Sequence, residues 1–82
     1  MATESHRYWL SFSAESAQRP LIWEMARKFD LIFNVRSASV TGQIGLIALE
    51  LTGERKTIEA ALKWLQRSGV EVDPIELNIL ES

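Results

Sequence analysis

The stretch from Phe29 to Gly53, FDLIFNVRSASVTGQIGLIALELTG, decides the fold. It leaves a helix and runs as an apolar-rich strand, with Phe33 and Val35 in one row and Ile32, Asn34 and Arg36 in the other. Past Arg36 the alternation reverses: Ala38 and Val40 are apolar, and Ser37 and Ser39 are polar. A bulge near Arg36 gives this reversal, because one extra residue switches facing. A far half that is simply small-residued and lightly packed gives it as well. Thr41-Gly42-Gln43 reads as a short turn closing an antiparallel hairpin. The return strand, Ile44 to Leu51, sets Ile47, Leu49 and Leu51 in one row. Ile44, Leu46, Ala48 and Glu50 make the other, apolar at one end and charged at the other.

Working outward, residues 1–6 form a flexible polar N-terminus, and Arg7–Ser13 reads as a first strand with Tyr8, Leu10 and Phe12 toward the core. Ala14–Arg19 is a polar connector, and Pro20 suits the first turn of a helix, where its missing N–H has no partner to lose. Leu21, Ile22, Met25, Ala26 and Phe29 form that helix's apolar stripe. Asp30 is misplaced for the negative end of a helix and marks its stop. After the hairpin, Gly53 opens a second helix whose stripe is Ile58, Ala61, Leu62 and Leu65, with Gly69 as its terminator. Val70 and Val72 begin a last strand, and Pro74, which cannot donate to a ladder, places that strand at a sheet edge.

The order strand, helix, strand, strand, helix, strand, with right-handed crossovers, gives an α+β class. Its arrangement is ferredoxin-like, βαββαβ, a four-stranded antiparallel sheet with two helices on one face. The domain spans residues 7–76, followed by a tail over 77–82.

The chain of 82 residues is a single small domain, with no cysteine and no clustered metal ligands, so neither disulfide nor metal staples it. Packing and self-association are the stabilisers that remain. The absence of cysteine excludes thiol and iron–sulfur chemistry. A net charge of −2 with no basic patch speaks against nucleic acid. No run approaches the roughly 20 apolar residues that span a bilayer. The N-terminus has no signal-peptide pattern, so the expected location is cytoplasmic.

The run RKFDLIFNVRSASV from Arg27, then GLIALELTG from Gly45, IEAALKWL from Ile58 and GVEV from Gly69, resembles the NIL domain. The resemblance covers roughly Arg7 to Ile75. That family is a structural relative of the amino-acid-binding ACT modules. It occurs at the C-terminus of the ATPase subunit of methionine import transporters and beside iron–sulfur clusters in some small ferredoxins. The resemblance implies a sensor of cytoplasmic methionine that pairs with a second copy and binds its ligand near the pairing interface. The family's Asn-Ile-Leu signature falls on Asn34, Val35 and Arg36, which implies these three as the ligand-binding segment, with Asn34 the contact carried over. Arg36 departs from the signature, which takes an apolar residue there, and so leaves the ligand's identity open. The literal Asn78-Ile79-Leu80 is far from the matching position. Neither the transporter's ATPase portion nor the ferredoxin cysteines are in this sequence, so transport and electron transfer are not implied.

Each candidate has an ordinary reading beside the functional one. The Asn34 amide donates and accepts, which suits an amino acid's carboxylate or ammonium; it equally suits a neighbouring backbone. Arg36 offers a planar fork for a carboxylate, and Glu50 on the adjacent strand is the competing mate. Trp9 and Trp23 lie off the core stripes and serve either as partner anchors or as a rim of the core. Trp64 and Met25 read as core. His6, the only histidine, has no carboxylate or nucleophile at a recognisable spacing, and Ser11, Ser13, Ser37 and Ser39 have no assignable base.

Two functional classes follow. The first is a non-enzymatic regulatory homodimer that binds methionine or a related amino-acid-like molecule, with no cofactor. Exposed Ile44, Leu46 and Ala48 on the open face motivate the pairing. The second is a protein–protein adaptor of the same fold that binds no metabolite. RNA binding is disfavoured, because recognition modules of this topology place stacking aromatics where Leu46 and Ala48 stand.

Overall fold

The computed structural model describes residues 3–41 and 44–75. Strand β1 (Glu4–Phe12) leads through a 3-10 turn (Ser16–Gln18) to helix α1 (Leu21–Lys28). Strands β2 (Ile32–Thr41) and β3 (Ile44–Gly53) follow, then helix α2 (Arg55–Arg67) and strand β4 (Glu71–Pro74). All pairings are antiparallel, in the order β2-β3-β1-β4, which is the expected ferredoxin-like arrangement. The turn residues Gly42 and Gln43 and the segment 76–82, with Asn78-Ile79-Leu80, lie outside the described residues.

Alternation decides which face each strand buries. Leu10 and Phe12 of β1 and Leu49 and Leu51 of β3 meet Leu21, Met25, Ile58, Ala61, Leu65 and Val70 in one core. Tyr8, Ile47 and Phe33 extend the same rows at its margin. Ala26 is exposed, not part of the stripe, because eight residues of α1 place only Leu21 and Met25 fully inward. Trp64 borders the core, packed edge-on against Phe29 with ring centroids 6.2 Å apart.

Helix ends follow local chemistry. Gly53 closes β3, and Glu54 flanks the start of α2. At the other end Gly69 takes φ 97°, and its N–H donates to the Gln66 carbonyl at 3.1 Å. The next N–H, Val70, donates to Leu65 at 3.1 Å, which completes a Schellman stop between two core residues. Pro74 ends β4 at one edge of the sheet, as its missing donor requires.

The other edge is β2. Its register with β3 shifts between Val35, opposite Leu49, and Ser37, opposite Ala48, so Arg36 is the extra residue of a bulge. The reversal of alternation thus has the first of its two proposed causes. Strand β1 begins at Glu4, earlier than Arg7, because Glu4, Ser5 and His6 pair with Gly53, Thr52 and Leu51.

Candidate functional site

Asn34 pairs with Glu50, and Glu50 pairs with Arg7 on β1, so all three share the sheet face opposite the helices. Arg7 Nε donates to Glu50 Oε2 at 3.2 Å, and Arg36 Nη1 stands 4.0 Å from Glu50 Oε1. The Arg36–Glu50 pairing expected from sequence is therefore present but loose, and the closer mate is Arg7. Arg7 was not singled out in the sequence because its neighbourhood depends on strand order. These groups are partly exposed, so each contact contributes only about 0.2–1 kcal/mol. Among the described residues the exposed Asn34 amide makes no side-chain hydrogen bond. Val35, opposite Leu49, projects to the helix side and is 53% exposed. The signature segment is thus divided between two faces.

The open face carries exposed Trp9, Ile32, Ile44 and Leu46, but Ala48 is not part of its exposed apolar surface. Ala48 is 4% exposed, a small side chain between its cross-strand neighbours Trp9 and Ser37.

On the helix side a cleft of about 610 Å³ lies between the start of α1 and the end of the β2–β3 hairpin. Phe12, Leu21, Ile22, Val40, Ile44 and Ile47 line it, with Ala38 below and Gln18 and Arg19 among its polar groups. Its wall is the β1–α1 connector, locked by reciprocal bonds. The Ser13 N–H donates to Ser16 Oγ at 2.8 Å, and the Ser16 N–H donates to Ser13 Oγ at 3.2 Å. Arg19 Nη2 donates to Glu24 Oε1 at 2.6 Å and ties the connector to α1. The sequence reading missed this cleft; the Ser-x-x-Ser spacing and the apolar, helix-free far half of β2 were its signals.

Neither this cleft nor a second hollow on the helices is lined by Asn34, Val35 or Arg36. The perturbed ionisations also lie elsewhere. Hydrogen bonds from His6 and Arg55 hold the Glu4 carboxyl below its usual range, and burial pushes the Tyr8 hydroxyl up. No group of three or more metal-ligating side chains gathers among the described residues. No helix among them is long and apolar enough to cross a membrane.

A family model described as the NIL domain matches residues 6–74. A methionine import ATP-binding protein of Cupriavidus pinatubonensis is 35% identical over 75 residues, covering 87% of this chain and 22% of that protein. The Escherichia coli K12 methionine import ATP-binding protein is 32% identical over 68 residues, covering 78% of this chain and 20% of its own length. The chain therefore spans about a fifth of these relatives. Among solved structures, the C-terminal domain of an ABC transporter ATP-binding protein from Enterococcus faecalis superposes with TM-score 0.78 at 25% identity. That match covers 89% of this chain and 86% of the other. A Thermotoga maritima protein, 23% identical with TM-score 0.68, covers 94% of this chain and 100% of its own; it shares the fold.

Proposed function

Because this chain belongs to the NIL domain family, we propose that it is a non-enzymatic regulatory module binding an amino-acid-like molecule, methionine or a relative, between two copies. The observation that carries this reading is the apolar cleft, which reaches the unpaired edge strand through Ala38 and Val40. Its lining suits an unbranched apolar or thioether side chain, which gains by leaving water.

The two sheet edges differ in a way that supports pairing. Strand β4 has four residues and ends in proline, whereas β2 has ten and carries Arg36 as its sole charge. A long edge interrupted by one bulge and one charge, both at Arg36, still presents the stretches Ile32–Val35 and Ser37–Thr41 as a template for another strand. In an antiparallel pairing of two β2 strands, the start of one lies beside the end of the other. Val35 of one copy, which projects to the helix side, then comes toward the cleft end of the second, while Asn34 projects from the opposite face. Within one chain the β2 side of the cleft is open, and pairing covers it with the second copy's exposed Val35. Ligand occupancy and assembly are then coupled by mass action. The module acts in the cytoplasm.

Calorimetry with a panel of amino acids tests this reading. Methionine or a similar member gives heat with the natural chain, and Val40→Asp, which puts a charge in the cleft, abolishes it. No heat from any member at millimolar concentration rejects amino-acid binding.

A further inference from the structure

We propose that the outer surface of α1 is a docking site for an acidic segment of a partner protein. This does not depend on the amino-acid-binding reading. A hollow of about 420 Å³ is lined by Arg19, Trp23, Glu24, Arg27, Lys28 and Trp64. All six belong to the connector, α1 or α2, so pairing along β2 leaves the hollow open; Arg19 and Trp23 also border the larger cleft, whereas Arg27, Lys28 and Trp64 do not and report on this hollow alone.

Three cations and one carboxylate meet there, in a chain whose acidic residues outnumber its basic ones by 11 to 9. Glu24 is occupied by Arg19 at 2.6 Å. Among the described residues neither Arg27 nor Lys28 has a carboxylate within 4.0 Å. Two positive charges are therefore available. Their position in the last turn of α1 also complements the helix dipole, which accounts for the charges without any partner. It does not account for Trp23, which is 59% exposed on the same surface.

The Arg27 guanidinium carbon sits 5.0 Å from the centre of the Trp23 ring. This cation–π contact holds the planar fork in place, so little freedom is lost when it takes a carboxylate. Trp64 is fixed against Phe29 and offers a second aromatic wall. Tryptophan and arginine beside an unsatisfied lysine are the residue types that dominate binding hot spots. The complementary ligand carries carboxylates for Arg27 and Lys28 and an apolar side chain for the indoles. Nucleic acid fits less well, because the hollow offers only two free cations and the rest of the chain is net acidic.

The test is a titration of the whole chain with a synthetic peptide of glutamate and aspartate around one leucine, followed by amide and indole NMR. The expected result is movement of the Trp23 and Trp64 indole signals with Trp9 unmoved, and binding that weakens as salt is added. The double variant Arg27→Glu/Lys28→Glu, shown by circular dichroism to be folded, binds about tenfold more weakly or worse. Absence of binding at millimolar peptide overturns the proposal. So does an undiminished affinity of the double variant, or shifts centred on β2. Tighter binding of a uridine oligonucleotide of equal charge overturns the choice of partner.

Discussion

Arg36 stands 4.0 Å from the Glu50 carboxylate, which Arg7 already engages at 3.2 Å from the neighbouring strand. One carboxylate thus lies between two guanidiniums on three adjacent strands, with Asn34 opposite it on the same face. Glu50→Gln leaves two cations facing each other. Because all three side chains are partly exposed, the expected loss is below about 1 kcal/mol and grows at low salt. Urea denaturation at two ionic strengths measures both effects.

Pairing through β2 predicts a second outcome. Ile32 and Val35 are exposed on that edge, at 69% and 53%. Replacing both by lysine introduces the charges that natural edge strands use against pairing. Analytical ultracentrifugation is expected to give a dimer for the natural chain and a monomer for Ile32→Lys/Val35→Lys.

The cleft wall rests on Ser16, buried at 5% exposure and bonded reciprocally to Ser13. Ser16→Ala removes an acceptor for the Ser13 N–H and costs about 1 kcal/mol, as loss of a helix cap does. If the cleft binds the ligand's side chain, the same change weakens methionine binding in calorimetry as the connector loosens.

Gly69→Ala forces a side chain into φ 97°, a conformation that costs an L-residue roughly 1–2 kcal/mol. In a domain this small that is a large share of the total stability. Thermal melting of the variant reads the loss directly.

Acid should weaken the junction between β1 and α2. Glu4 bonds to His6 at 2.8 Å and to Arg55 Nη2 at 3.0 Å, which holds its carboxyl below the usual range. A folded-state pKa lower than the unfolded one means a contribution present above the ordinary glutamate range. That contribution disappears as pH falls through the folded value. Carbon NMR of the Glu4 carboxyl is expected to show a depressed midpoint, and Glu4→Gln to flatten the acid side of the stability curve.

Much of the architecture was legible because it follows local rules. The reversal after Arg36 left two causes, of which the bulge is the one present, while Pro74 announced an edge and Gly69 the helix stop. The errors came where packing overrules pattern. Ala26 fits the stripe of α1 but finds no neighbour to cover it, and Ala48 sits on an open face yet is hidden between Trp9 and Ser37. The candidate site was legible only in part. Asn34 and Arg36 were singled out, whereas Arg7 and the cleft were not.

By itself the sequence determined the order of the elements, the facing of their side chains and the family to which the chain belongs. These depend on backbone periodicity and on residues near one another along the chain. The tertiary structure decided that Arg7 meets Glu50, that Asn34 and the cleft lie apart within one chain, and that Trp23 stands exposed beside Arg27. Strand order and helix docking bring together residues tens of positions apart, and such neighbourhoods leave no periodic trace in the letters.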